Sequence, residues 1–100
     1  MIVAHSTQKS QLIEKEIIPS LSFPKHDVLE LQFQRVARLQ ALRVATKLGN
    51  NFKHKVKIIF IDDQTVKCVN TTIWMSSDNF VSLKNGTMIP VNRILEIRLF

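Results

Sequence analysis

KNGTMIPVNRILEI, from Lys84 to Ile97, carries one of the chain's two glycines and one of its three prolines within five residues. Asn85 and Gly86 can adopt the positive φ angles of a tight hairpin, so they predict a turn between two strands. Pro90 cannot donate a ladder hydrogen bond, so the second of these strands should stop there. VNRI then has the length of one helical turn. The stretch therefore predicts two short strands, a helical turn and a final strand.

The residues before this stretch also have the composition of strands. KVKIIFI, TVKCVNTTIWM and FVSL are rich in β-branched and aromatic residues, and the short joints DDQ and SSDN are made of turn residues. The apolar alternation changes parity near Asn70, which indicates a bulge or a strong bend in a long second strand. Residues 54–99 are therefore predicted to form a strongly bent antiparallel sheet of about five strands, which such a bend could curl into a small barrel.

A helix is predicted at residues 28–48, which gives an α+β fold. Asp27, with Glu30 three residues later, resembles a capping box, and Gly49 occupies the place of a left-handed cap. Residues 1–26 precede it as an N-terminal arm with a short helix-compatible piece, SQLIEKEII, that ends at Pro19. Residues 27–100 would form one domain.

The predicted helix has two apolar sides. The wider side should pack on the body of the domain and consists of Leu29, Phe33, Val36, Ala37, Ala41, Val44, Ala45 and Leu48. The second side is a candidate self-association surface and consists of Val28, Leu31, Leu39 and Leu42. Either the N-terminal arm folds over this second side, or the same helix of another copy covers it.

The order of helix, hairpin-joined strands and single helical turn is that of an Sm-like or SH3-like barrel. The segments KVKIIFIDDQTVKCVNTTIW, FVSLKNG and TMIPVNRILEI make the chain similar to small bacterial proteins of the Rho-binding antitermination factor type, in which a helix precedes an Sm-like barrel. A closer resemblance is to bacterial proteins that share the TTIW and IPVNRI segments. The similarity covers residues 27–99 and implies binding of protein or RNA rather than catalysis.

Positive charge is concentrated in one third of the chain. Residues 31–61 contain seven basic residues and no acid, whereas the whole chain has 14 Lys and Arg against 8 Asp and Glu. Such a cluster can attract nucleic-acid phosphates or an acidic protein, or it can simply keep a small protein soluble. The candidate nucleic-acid-binding residues are Arg35, Arg38, Arg43, Lys53, Lys55 and Lys57, together with Arg93 in VNRI.

Signals of chemistry are weak. His5, His26 and His54 are scattered, with no Cys or carboxylate at metal-ligand spacing, so no metal site and no cofactor are predicted. Cys68 stands alone and should pack as a small hydrophobic residue, which also rules out an intrachain disulfide. Asp62 and Asp63 fit a hairpin turn better than an acid–base pair. Neither a phosphate-binding glycine loop nor an apolar stretch of the roughly 20 residues that span a bilayer occurs.

Trp74 has two interpretations, as a filler of the barrel core or as an exposed platform for a base or a peptide. Arg93 similarly could bind RNA or make a structural hydrogen bond. The sequence thus favours a non-enzymatic, cytoplasmic binding module for RNA, DNA or a nucleic-acid-associated protein. The alternative is an assembly protein that self-associates through its helix to form a homo-oligomer.

Overall fold

A computed structural model describes residues 9–100 and places one helix beside two small sheets. The helix, α1, spans Gln32–Phe52. The strands are β1 (Gln11–Leu12), β2 (Val56–Ile61), β3 (Val66–Thr71), β4 (Ile73–Ser76), β5 (Phe80–Leu83), β6 (Met88–Pro90) and β7 (Ile94–Leu99). Short 3-10 segments occupy Lys15–Ser20 and Val91–Arg93. The predicted α+β class is confirmed.

The strands form two sheets instead of the single five-stranded sheet predicted. The four-stranded sheet has the order β1-β3-β2-β7, and the three-stranded sheet has the order β4-β5-β6. The predicted long second strand is interrupted at Thr72, between β3 and β4, where the chain passes from one sheet to the other. All pairings are antiparallel except that of β1 with β3, and no closed barrel is present within residues 9–100.

Helix α1 begins and ends four residues later than predicted. The Asp27 carboxylate accepts the Leu29 N–H at 2.8 Å within an extended segment, and Gln34 Oε1 accepts the Leu31 N–H at 3.4 Å at the true helix start. The left-handed cap is Lys53, with φ of 53°, and its N–H bonds to the Gly49 carbonyl at 3.0 Å. The predicted roles of Asp27 and Gly49 as caps were therefore wrong.

Gly49 lies inside α1 because the helix touches β4 there. A Cβ on this residue would overlap the backbone carbonyl oxygen of Ile73 and would lie 3.1 Å from the Thr72 methyl group. One turn earlier, Thr46 Oγ1 and Ser76 Oγ are 2.9 Å apart. The missing side chain thus permits a close approach between helix and strand.

The face that α1 buries is marked by Arg38, Leu42, Ala45 and Gly49. The side predicted to pack on the body is divided, since Leu29 and Ala45 are fully buried whereas Phe33, Val36 and Val44 are 70%, 43% and 50% exposed. That prediction was therefore only partly right, because apolar residues surround most of the helix and their periodicity does not rank its sides. The main core lies between the two sheets and the helix and is built from Ile13, Ile18, Leu42, Ala45, Val56, Ile58, Phe60, Val69, Ile73, Val81, Leu83, Ile89, Val91 and Ile94.

The stretch from Lys84 to Ile97 folds largely as predicted. Its turn has φ of 83° at Gly86, whose N–H bonds to the Leu83 carbonyl at 2.9 Å, while the Asn85 side chain accepts the Thr87 N–H at 3.1 Å. Only Gly86 needs a positive φ, so the expectation for Asn85 was wrong. Strand β6 ends at Pro90 and a 3-10 turn leads into β7, as predicted.

The described part of the arm packs against the domain. Strand β1 adds to the edge of β3, and Ile13 and Ile18 enter the main core. The predicted helical piece, residues 10–18, is helical only in its second half: Gln11–Leu12 form β1, and the 3-10 segment Lys15–Ser20 continues through Pro19 instead of ending there. Farther on, the Asp63 N–H bonds to the Ser22 carbonyl and the Val28 N–H to the Asn92 carbonyl, each at 2.9 Å. These contacts fix residues 22–28 against the β2–β3 turn and the turn before β7.

Candidate nucleic-acid interface

The outer face of the three-stranded sheet carries four large exposed apolar side chains. Trp74, Met75, Phe80 and Met88 are 49%, 69%, 45% and 51% exposed. The opposite face of the same strands supplies buried residues of the main core. We call this group of four the apolar outer face. The exposure of Trp74 favours its interpretation as a platform over that as a core filler.

The strand register brings these side chains together. Met75 on β4 and Met88 on β6 both stand opposite Ser82 of the central strand, so they flank a small residue in one row across the sheet. Phe80 lies two residues from Ser82 on β5 and therefore shares its face. Trp74 sits at the irregularity in β4 between Ile73 and Met75. Because Ser82 is small, the row of Met75, Ser82 and Met88 leaves an open apolar surface with a methionine on each side.

Exposed cations lie on and just after α1, the helix that packs on β4. The helix packs on β4 through Gly49 and Thr46, and the carbonyl of its cap residue Lys53 accepts a long hydrogen bond from Thr72 Oγ1, 3.5 Å away. Lys53 thus contacts the chain two residues before Trp74. The exposed basic residues on this half of the helix and its exit are Arg43, Lys47, Lys53 and Lys55.

A cleft of about 510 Å³ adjoins the apolar outer face at Phe80. Its apolar walls include Phe23 and Pro90, and its polar rim includes Lys25 and Asn92. The Asn92 side-chain amide donates to the Lys25 carbonyl, so the rim is held together by a hydrogen bond. Asp78 also lines the cleft and places one negative charge there. The cleft therefore combines a ring, amide groups and charges of both signs.

Arg38, one of the candidate binding residues, is used inside the protein. Its guanidinium donates to both carboxylate oxygens of Asp27, at 2.9 and 2.7 Å, and to the Ile94 carbonyl at 3.1 Å, and only 5% of the residue is exposed. Burial would raise the pKa of Asp27, but hydrogen bonds from Arg38 and Leu29 and the nearby positive charges outweigh it and lower that pKa. Arg35 joins this pair, with its Nε 3.4 Å from Asp27 Oδ2.

Arg93 is also structural. It is 4% exposed, and it donates to the Ile61 carbonyl at 3.0 Å and to the His26 carbonyl at 3.0 Å. Burial lowers the pKa of Arg93, while the charges of Asp27 and Asp62 act in the opposite direction. Of the two roles considered from the sequence, these contacts favour the structural one.

The three lysines at the start of β2 occupy different settings. Lys53 is the helix cap, Lys55 precedes the strand and both are exposed, whereas Lys57 is half-buried within β2, opposite Asn70 and Arg98. Because β2 begins only at Val56, Lys53 does not share a strand face with Lys57.

The candidate self-association residues are also divided among settings. Leu42 is 1% exposed in the main core, Leu39 packs against that core and Val28 packs against a smaller one. Leu31 is 53% exposed just before the helix. The four residues therefore do not form a continuous surface.

The turn acids and the single cysteine have structural roles. Asp62 accepts the Gln64 and Thr65 N–H groups at 2.9 Å and pairs with Lys67 Nζ at 2.7 Å. Burial would raise the pKa of Asp62, but the hydrogen bonds from Lys67 and the two backbone groups lower it below its ordinary value. Cys68 is 2% exposed in the smaller core with Leu29, Ile59 and Leu95, as predicted from its apolar strand.

The histidines are not brought together. His26 Nε2 lies 3.4 Å from the Arg93 guanidinium, His54 follows the helix cap, and His5 lies outside the described residues. Among residues 9–100, no group of three His, Cys, Asp or Glu side chains could hold a metal ion. Within the same residues, no helix has both the length and the apolar character needed to cross a membrane.

The chain matches no protein-family model, no curated protein and no solved structure. The geometry of the interface is therefore the basis for a functional proposal.

Sequence reasoning included Trp74 and the cations but missed Met75, Phe80 and Met88. The reason lies in the pattern: FVSL and TMIPV have apolar residues at both parities, so alternation does not show which side faces solvent. The hairpin register contains the missing information, since Gly86 fixes the β5–β6 loop and thereby places Met88 beside Ser82.

Proposed function

We propose that the protein is a non-enzymatic module that binds single-stranded nucleic acid on the apolar outer face of the three-stranded sheet. The observation that carries the proposal is the exposure of Trp74 and Phe80 on one face of a sheet whose strand β4 packs against a helix with exposed lysines and arginines. Bases in a single strand are free to stack on aromatic rings, whereas bases in a duplex are not.

The two rings supply the stacking part of the interaction. Stacking a base on an aromatic side chain contributes about 1–3 kcal/mol and tolerates any base sequence, because every base has a π face. The methionines beside the rings, Met75 and Met88, offer flexible apolar contacts that can adapt to bases of different size. The cleft beside Phe80 has room for one further base.

The cations supply the phosphate part. Arg43, Lys47, Lys53 and Lys55 lie on and just after the helix that packs on β4, so a strand with its bases on the rings would direct its phosphates toward them. Arg38 and Arg93 donate to the Ile94 and Ile61 carbonyls of the four-stranded sheet and are not assigned to phosphate contact. Affinity should be weak, since few phosphates would be neutralised, and it should fall as salt is raised because each phosphate contact releases counterions.

The test uses the single tryptophan of the chain as a probe. Titration with mixed-sequence single-stranded RNA and DNA at low salt should quench Trp74 fluorescence, and the binding constant should fall as salt is raised. Trp74→Ala, followed by anisotropy of a labelled oligonucleotide, should weaken binding by about 5- to 140-fold, which corresponds to the loss of one stacked base. Circular dichroism would check that the variant is folded.

Lysine variants measured at several salt concentrations distinguish direct phosphate contacts from the general attraction of a basic protein for nucleic acid. The double variant Lys53→Ser/Lys55→Ser should reduce the slope of log affinity against log salt by about 1.4, or about 0.7 for each lost phosphate contact. Lys9→Ser is the control, because Lys9 is exposed beside β1, an edge strand of the other sheet. Absence of quenching at low salt, or equal effects of the control and the double variant, would refute the proposal.

A further inference from the structure

A second surface lies between α1 and the outer strand of the four-stranded sheet. This groove has a volume of about 580 Å³. The helix lines it with Ala37, Ala41 and Val44, and β7 lines it with Ile97 and Leu99. The helix side is built from small residues, and Val44 and Leu99 are 50% and 53% exposed. The groove therefore has a mainly apolar lining and open access, and its polar lining residues are Arg38, Gln40, Glu96 and Arg98.

Among the described residues, β7 is an edge strand of its sheet. It pairs with β2 on one side and has no strand on the other among residues 9–100. Arg38 covers the start of this edge by donating to the Ile94 carbonyl. A register shift follows between Ile94 and Glu96, and beyond it the strand carries neither proline nor lysine. Edge strands that are left in this state are templates for the addition of another strand.

The sequence of β7 is complementary to itself. In an antiparallel pair centred on Ile97, Glu96 of each copy stands opposite Arg98 of the other, and the two Ile97 residues face each other. Within one copy these charges already attract, with Arg98 Nε 2.8 Å from Glu96 Oε2. A second copy would extend this pair to a cluster of two acids and two bases with alternating sign.

We propose that the groove receives β7 of a second copy of this chain. The resulting symmetric dimer has a continuous eight-stranded sheet, with the two β7 strands antiparallel at its centre and the helix of each copy packed along the strand of the other. A symmetric contact of this kind closes on itself and does not propagate into a fibre.

One unsatisfied group supports strand addition at this place. The Nε–H of Arg38 is buried and has no acceptor among the described residues, and Arg38 lines the groove. An added strand brings backbone carbonyls, which are the acceptors that a buried donor requires. The proposal extends beyond nucleic-acid binding because it uses the other sheet and leaves the apolar outer face open.

The first test is the oligomeric state of matched helix variants. Sedimentation velocity at high micromolar concentration should give a dimer for the wild type and a monomer for Val44→Glu, whose charge would enter the groove. Val36→Glu should remain dimeric, since Val36 is 43% exposed on the same helix but does not line the groove. Circular dichroism should show the same fold for all three proteins.

The second test locates the symmetry axis. Ile97→Cys should form a disulfide-linked dimer under mild oxidation, because directly opposed residues have Cα atoms about 4.5–5.5 Å apart, within the range for a disulfide. Met88→Cys, on the other sheet, should not form this dimer. The wild type should not form it either, because its Cys68 is enclosed in the smaller core.

Three outcomes would overturn the proposal. The wild type could remain monomeric at high concentration, it could form a dimer that survives Val44→Glu, or it could bind an added extended apolar peptide in this groove while remaining monomeric. The last result would indicate that the groove binds an extended segment of another protein and not a second copy of this chain.

Discussion

Replacing Gly49 by alanine tests whether the spacing between α1 and β4 is set by the absence of a side chain. In an open helix this substitution stabilises by about 1 kcal/mol, because glycine is the poorest helix former apart from proline. Here the new methyl group would meet the Ile73 carbonyl oxygen, a backbone atom that cannot rotate away, and would press on Thr72. We therefore expect the opposite sign.

The magnitude follows from two opposing contributions. Overpacking costs about 1–3 kcal/mol, and the backbone contact places this site at the upper end of that range. Subtracting the helix gain of about 1 kcal/mol leaves a net loss of about 2 kcal/mol. For a domain of this size, that loss lowers the melting temperature by roughly 8–16 °C.

Thermal unfolding followed by circular dichroism would measure the change, with urea unfolding as a second estimate of the free energy. Asn50→Ala is the control, since Asn50 is the next residue of the same helix and is exposed. It should leave stability unchanged or raise it by less than about 1 kcal/mol. If Gly49→Ala melts at or above the wild-type temperature, helix and strand are not in contact at this point.

Three further predictions concern the core and its ion pairs. Asp27→Ala should reduce the free energy of unfolding by about 3–5 kcal/mol in urea titrations, because it leaves the buried Arg38 charge without its partner. Stability should fall as the pH drops below about 4, because the folded-state pKa values of Asp27 and Asp62 lie below their ordinary values. A plot of melting temperature against pH would show this fall, and Asp27→Asn should make the fall shallower. Leu42→Ala should cost about 2–5 kcal/mol, whereas Leu31→Ala should cost less than about 1 kcal/mol; equal losses in thermal melts would mean that the buried side of the helix is wrongly assigned.

Local signals in the sequence predicted the parts of the fold that depend on neighbouring residues. Gly86 and Pro90 act within their own turn and strand, so the β5–β6 hairpin and the turn before β7 could be placed from the amino-acid sequence alone. The helix was also predicted, because its apolar residues recur at helical spacing along most of its length. Its ends were missed by four residues, since Asp27 is held by the distant Arg38 and not by the helix start.

Features that depend on distant partners could not be predicted. Glycine occurs both at helix ends and where two backbone segments pack closely. Only the position of β4 shows that Gly49 is a close-packing glycine. Strand β1 is two residues long and contains a glutamine, so nothing in its pattern marks it as a strand. Its pairing with Lys67 and Cys68 depends on a segment far away along the chain.

Charge was the least predictable part of the candidate site. Counting basic residues placed Arg38 and Arg93 with the exposed lysines, whereas both are held by distant groups. The separation from Arg93 to the Ile61 carbonyl is 32 residues, and that from Arg38 to the Ile94 carbonyl is 56. Net charge therefore suggests a binding surface as a hypothesis, but it does not show which cations remain available for it.

The attachment of residues 25–28 to the turn before β7 bears on the order of folding. The hydrogen bond from Arg93 to the His26 carbonyl closes a loop of 67 residues, and the contact from Val28 to Asn92 is nearly as long. The length-dependent part of the closure entropy is about 4 kcal/mol for such a loop. Contacts of this kind form slowly and usually after the local hairpins. We therefore expect the β5–β6 hairpin to form early and residues 25–28 to dock late against the turn before β7.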